Sequence, residues 1–300
     1  MKKFSSIKAA FAIIDFAKNH PKFTIKFILA FALVMLLSLT AFYSTGFVEL
    51  FIQMVINSES PEKWPYEKAF MDATNLINIL YIVCWFFYIV FSSAGLRKAI
   101  RNEEIGFHGF TWGKDETRIL LSYLVLIAIM IAAYLGIGLF FLIATGIGVF
   151  IKSIPIIAPL YGIIVGGLGS FFVYWLIIRL SQFGVLTIAQ RKMGTIDSIK
   201  ETKGHGWSFF WAYFINTLVV SVSYLILIGF GFAAYKITGK FPITAMELLN
   251  PAWLFVFILA AIIMGIFILS RICLGSYAYH MMHEGEELPQ ESASENVWKN

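Results

Sequence analysis

The chain has 300 residues, of which 59% are hydrophobic, 17% aromatic and only 14% charged, with a formal net charge of +5. A soluble domain is about 45–50% apolar and about 25% charged, so a soluble globule could not cover this much apolar surface, whereas lipid covers it for a polytopic helical membrane protein. The same hydrophobicity and a count of two cysteines exclude a disordered chain and a disulfide scaffold.

The first 26 residues carry Lys2, Lys3, Lys8, Lys18, Lys22 and Lys26. Phe4, Ile7, Phe11 and Ile14 recur among them at helical spacing, which predicts an amphipathic helix lying on an anionic inner leaflet rather than packed into the core. A basic leader of this length, with no small-x-small cleavage site soon after it, reads as an uncleaved anchor and not as a signal peptide.

A membrane-crossing helix needs about 20 apolar residues. Runs free of Asp, Glu, Lys and Arg place six spans at about 27–48, 73–96, 119–143, 157–179, 208–235 and 250–271. They are apolar on every face, unlike the alternating strands of a membrane β-barrel. After the first span, Phe47, Leu50, Phe51, Met54 and Val55 form a stripe that predicts a short interfacial helix, and a polar run places Trp64 and Tyr66 near the headgroups. Lys152, with Pro155 and Pro159, splits the longest apolar region into two spans joined by a tight hairpin. The expected fold is therefore all-α: a membrane domain over residues 1–283 with six transmembrane helices in three hairpins, each hairpin preceded by a cytoplasmic interfacial helix. Residues 284–300, with five Glu, read as a disordered acidic cytoplasmic tail.

The three hairpins look alike at their basic ends. The segments before spans one, three and five hold His20, His108 and His205, each beside a helix breaker. The second helix of each pair ends near Arg97, Arg179 or Arg271, with Gly95, Gly184 or Gly275 close by. This suggests a triplicated hairpin, although inner-leaflet boundaries gather Lys, Arg and aromatics in any case. Eighteen of the 23 Lys and Arg fall on the side of the termini; only Lys63, Lys68, Lys152, Lys236 and Lys240 fall opposite. The positive-inside rule then gives a multi-pass protein of the bacterial cytoplasmic membrane, N-in and C-in. The cations are spread as topology signals and form no single nucleic-acid patch.

Chemistry is sparse. No ionisable residue stands mid-span, which argues against a proton-coupled transporter. Asn78, Ser170, Tyr174, Asn216, Thr217, Ser221 and Ser223 remain as hydrogen-bonding glue between helices. Gly162 and Gly166, and Ala261 and Gly265, are small-xxx-small pairs that predict close helix packing within the bundle, with a dimer seam as the alternative. His280 and His283, followed by Glu284, lack the spacing of a zinc site, and Gly167-Leu168-Gly169-Ser170 lacks both the second glycine and the base of a hydrolase elbow. Cys84 and Cys273 read as packing residues. No catalytic, cofactor or metal set is expected. Arg97, Arg179 and Arg271 are candidate lipid-headgroup contacts or simple topology anchors.

At the end of the fourth span the chain reads Arg179-Leu180-Ser181, and later Ser198, Thr202, Lys203, Gly204 and Trp207 stand in a Ser-x-x-x-Thr-Lys-Gly-x-x-Trp spacing. This pattern resembles the bacterial YciC-like proteins and the membrane domain found ahead of some glycerophosphoryl diester phosphodiesterases. The resemblance is specific over about 35 residues. It implies a six-span inner-membrane protein without the phosphodiesterase activity, because no such domain follows. The expected function is that of a non-catalytic, lipid-interacting scaffold or partner of envelope proteins. Its partners would be membrane lipids, other membrane proteins or a second copy, and not nucleic acid. The alternative is a transporter or channel for a small solute, which a water-filled cavity lined by Asn78, Asn216 or Ser223 would favour.

Overall fold

The computed structural model describes residues 4–56, 66–105, 110, 112–151 and 157–284, with side chains omitted for 147–160 and 162. The polar run 57–65 with Trp64, Lys152 and Pro155 of the expected tight hairpin, His108 and the tail beyond residue 284 lie outside the described residues.

The described residues are helical without strands, and six helices are long and apolar enough to cross a membrane. The helices are α1 (Ser6–Ala10), α2 (Ala12–Asn19), α3 (Pro21–Ser44), α4 (Phe47–Ile56), α5 (Glu67–Arg101), α6 (Lys114–Ile151), α7 (Ile157–Leu180), α8 (Phe183–Gln190), α9 (Thr195–Glu201), α10 (Gly206–Thr238), α11 (Ala245–Leu248) and α12 (Pro251–Met282). The six long ones are α3, α5, α6, α7, α10 and α12. Their limits follow from local chemistry. Pro21 and Pro251 sit at first helical positions, where a missing N–H costs nothing. The Asn250 side chain accepts from the Ala252 N–H at 3.1 Å. Gly239, at φ +74°, ends α10 in the left-handed region that a residue with a Cβ rarely adopts.

Helix α12 is central: it packs on α3, α5, α8 and α10, and on the short α1 and α2. It runs eleven residues past Arg271, where the charge-free stretch stops. Those residues continue the helix because 272–276, Ala278, Tyr279 and Met282 are buried in protein. Burial also gathers at the same end of α5, over 89 and 91–96 and again over 98–101. The opposite parts of α6 and α7 turn Leu135, Leu139, Leu142, Ile163 and Leu168 outward, as lipid-facing helices do. At the basic end Phe16, Phe27, Leu186, Leu269 and Cys273 form the main apolar core, with Phe91 edge-on to Phe27 and Phe31.

The leader departs from its expectation. Phe4 is buried against Phe209, with ring centroids 4.9 Å apart, and Ala9, Ala12 and Phe16 are also inside. Ile7, Phe11 and Ile14 face outward. The chain breaks at Phe11 between α1 and α2, so small alanines let one face dock while the bulky face stays free. The helix is a packed element with an exposed apolar side, not one merely resting on a leaflet.

Candidate ligand chamber

The site is built from the basic end upward. Helix α7 stops at Leu180 and the chain restarts as α8 at Phe183. This break leaves carbonyls at the end of α7 without intrahelical partners. The hydroxyl of Ser181 donates to the Ile178 carbonyl at 2.7 Å. Ser198 Oγ donates to the Arg179 carbonyl at 2.8 Å and accepts from the Gln182 N–H at 3.1 Å, and Thr202 Oγ1 reaches the same Arg179 carbonyl at 3.2 Å. Ser198 and Thr202 lie four residues apart, on one face of α9 and its end, so both meet one helix terminus. Gly204, at φ +86°, then turns the chain into α10. The two halves of the sequence motif are thus partners in one hydrogen-bond set.

Where α5, α8 and α12 meet, three glycines make room. Ile272 and Phe27 fill the space beside Gly95, Leu96 stands against Gly184, and Val185 and Gln182 stand against Gly275. Each glycine receives a side chain from another of the three helices, and α3 adds Phe27 at Gly95.

Immediately beyond this junction lies a cavity of about 1340 Å³, lined by residues of α3, α5, α6, α7, α8, α10 and α12. Its walls are chiefly aromatic and aliphatic, including Phe31, Trp85, Phe214 and Met264. Tyr88, Ser92, Tyr123, Ser181, Tyr213 and Thr217 supply hydroxyls, and Ser38 and Cys84, 3.2 Å apart, line it too. Of the polar residues singled out in the sequence, Tyr174 and Thr217 line this chamber. Asn78, Ser170 and Ser221 are exposed, and Asn216 is buried elsewhere, bonding the Ala10 carbonyl at 3.3 Å and Ser270 Oγ. Tyr88, Tyr123 and Tyr213 were not singled out in the sequence; a tyrosine inside an otherwise uncharged run is the signal that marks them.

The three arginines have three different surroundings. Arg97 stands 3.2 Å from Glu116, which is almost fully buried and also accepts from the Gly113 N–H at 2.8 Å. Arg97 therefore belongs to an ion-pair cluster in which Arg101 bonds Asp115 at 2.8 Å, Glu103 at 3.1 Å and the Ile188 carbonyl. Arg179 lies over the Trp175 ring at 5.2 Å and does not line the chamber. Arg271 does line it, donates to Thr217 Oγ1 at 2.9 Å and lies 4.9 Å from both the Tyr213 and Phe267 rings.

The small-residue pairs also divide. Gly265 packs within 3.5 Å of Ile28 backbone atoms and Ala261 is buried, so that face is a close helix contact with α3. Gly166 has no atom within 4 Å of where a Cβ would stand. A Cβ at Gly169, one turn on, would instead stand 2.9 Å from Phe141 of α6, so the close approach of α7 to α6 falls there and not at Gly166. Gly162 lies outside the described side chains. At the end of α12, His280 approaches the Ala99 carbonyl at 3.3 Å, while His283 meets the Tyr279 carbonyl and Glu201, both at 2.9 Å. The two rings serve separate partners.

The chain matches no known family, no curated protein and no solved structure.

Proposed function

We propose that the protein is a non-catalytic, multi-pass protein of the bacterial cytoplasmic membrane that holds a lipid-like molecule in its central chamber. The chamber itself carries this reading. At about 1340 Å³ it exceeds the ~300–1,000 Å³ typical of small-ligand sites, and aromatic and aliphatic side chains dominate its walls. Water there would find few partners, whereas hydrocarbon would be at home. The spread of Lys and Arg supports an N-in, C-in orientation, with the junction of α5, α8 and α12 at the cytoplasmic side. The outward Ile7, Phe11 and Ile14 suit α1 and α2 to the membrane interface. The recurrence of a glycine and an arginine near the basic end of each helix pair supports a triplicated hairpin, and the hydrogen-bond set joining Arg179, Ser198 and Thr202 supports the YciC-like resemblance.

The experiment is direct. The protein is purified in native lipid discs, stripped in mild detergent, and its retained small molecules are extracted and identified by mass spectrometry. Stoichiometric retention of one amphiphile class is the expected result. Recovery of bulk membrane lipid in bulk proportions, with none surviving detergent exchange, would count against it.

A further inference from the structure

Arg271 is the only Lys, Arg, Asp or Glu among the described residues lining the chamber. A guanidinium stays charged at any physiological pH, and a charge facing apolar walls is costly unless it is paired. Thr217 takes one of its N–H groups, and the Tyr213 and Phe267 rings attract it without neutralising it. Its Nε is shielded from solvent and has no acceptor, and no carboxylate among the described residues stands within ion-pair distance. Arg97, its counterpart on α5, has Glu116. The chamber therefore contains one cation for which no carboxylate among the described residues serves as partner.

The dimensions complete the picture. On α12 the lining runs from Met264 to Gly275, about 16 Å at a rise of ~1.5 Å per residue. One leaflet of the hydrocarbon core is about 15 Å deep, half of the ~30 Å total. Arg271 lies toward the basic end of that length, with Ser181, Tyr213 and Thr217 lining the same end. Met130, Tyr81 and Met264 line the other.

Resting on the chamber reading above, we propose that Arg271 is the headgroup site of the chamber, and that the ligand is an amphiphile with one negative charge on its head, a carboxylate or a phosphodiester, and an acyl chain lying along the chamber. One cation matches one negative charge; a dianion would leave a charge uncompensated among aromatic rings. The planar guanidinium fits two oxygens of either group.

The test is native mass spectrometry of the detergent-solubilised protein with three added probes sharing an oleoyl chain: oleate, lysophosphatidylglycerol and the neutral monoolein. Wild type is expected to retain oleate or lysophosphatidylglycerol at least roughly tenfold better than monoolein, the factor a charge-assisted bidentate contact supplies. Which of the two prevails tells a free fatty acid from a phospholipid. Arg271→Gln should lose that preference while keeping monoolein binding, and Arg271→Lys should recover part of it. Arg179→Gln, which alters no lining residue, should behave as wild type. Ser38→Trp, which fills the far end, should abolish retention of all three probes. Equal retention of monoolein and the anions by wild type, or an unchanged preference in Arg271→Gln with a wild-type melting curve, overturns the headgroup site while Ser38→Trp still upholds the chamber. If no probe is retained, or Ser38→Trp retains them all, the chamber reading falls and the headgroup site falls with it.

Discussion

Ile272 occupies the space that a side chain at Gly95 would need: its Cδ1 lies 2.7 Å from where that Cβ would stand, and Phe27 follows at 3.3 Å. The relation joins α5 to α12 at the floor of the chamber. It has parallels at Gly184 against Leu96 and at Gly275 against Val185, 3.2 and 3.0 Å away. A closed triangle of helices results, each bringing a glycine to one neighbour and a branched side chain to the other.

This geometry separates glycines that look alike in the sequence. Gly95→Leu and Gly275→Leu should each destabilise by about 1–3 kcal/mol, the range for overpacking a filled site. Gly166→Leu, placed in open space, should melt like wild type. The check is thermal unfolding in one mild detergent. Equal losses for all three would mean that the Gly166 face is covered in the solubilised protein, as in a dimer.

The end of α7 depends on two hydroxyls. Ser198→Ala leaves the Gln182 N–H and the Arg179 carbonyl short of one buried partner each, and Thr202→Val removes a hydroxyl whose single proton lies between the Ser198 carbonyl at 2.8 Å and that Arg179 carbonyl at 3.2 Å. Each should cost about 1–2 kcal/mol, the low-to-middle range for an unsatisfied buried group. The double variant should cost more than the two summed, because each single variant leaves the Arg179 carbonyl one hydroxyl donor and only the double leaves it neither. A double-mutant cycle by thermal melting measures the coupling.

The six long helices were legible because lipid demands uniformly apolar side chains, and a run without charge is easily seen. Their basic ends were not. There the surroundings change from lipid to protein, and a helix buried in protein tolerates Ser93, Lys98 and Ser276 inside it, so a search for charge stops too early. Phe4 was misread for the same reason: lysine stems around it looked like a surface, while alanines five and six residues on let the helix dock. The spacing of Ser198 and Thr202 was visible as a pattern, but its partner, a carbonyl at a helix break, leaves no mark in side-chain identity. The chamber was hidden altogether, because tyrosines that wall a cavity and tyrosines that fill a core read alike.

Glu116 should be the least replaceable acid at the basic end. It is almost fully buried, holds the Gly113 N–H and faces Arg97. Glu116→Ala leaves that guanidinium without its nearest carboxylate and should cost about 3 kcal/mol, the lower end for breaking a buried pair, since Arg97 is partly exposed. Asp197→Ala, whose pair with Lys192 is largely exposed, should cost under about 1 kcal/mol. Comparing the two melting temperatures decides it.

His20 gives a pH dependence of defined sign. Burial, and then the charge of Lys98, hold its imidazole below the usual histidine value, while Glu104 pulls the other way. Its Nε2 is enclosed without an acceptor, so protonation adds a donor with nothing to receive it. A group whose folded pKa is depressed binds fewer protons folded than unfolded. Its contribution is therefore fully present above about pH 6.5 and is lost as the pH falls below that value. Wild type should lose melting temperature between pH 7 and 5 faster than His20→Phe. Parallel curves for the two proteins would show that other groups carry the acid sensitivity.

Orientation is the last prediction, and it rests on the uneven placement of positive charge. Lys and Arg are held at the cytoplasmic face because moving them across during insertion is opposed. Here the asymmetry is repeated in two separate connections as well as the leader, so no single loop decides it. A fluorescent protein at the C-terminus should therefore fold and glow, and alkaline phosphatase fused after Lys240 should be active, since that enzyme matures only outside the cytoplasm. Lys240 suits the test: it lies in the connection between α10 and α12, beside Glu247 of α11. A fluorescent fusion inserted at Glu62, in the connection between α4 and α5, should stay dark. If it glows while the C-terminal fusion is dark, the orientation is reversed, and the glycine junction with Arg271 above it would then sit at the outer leaflet.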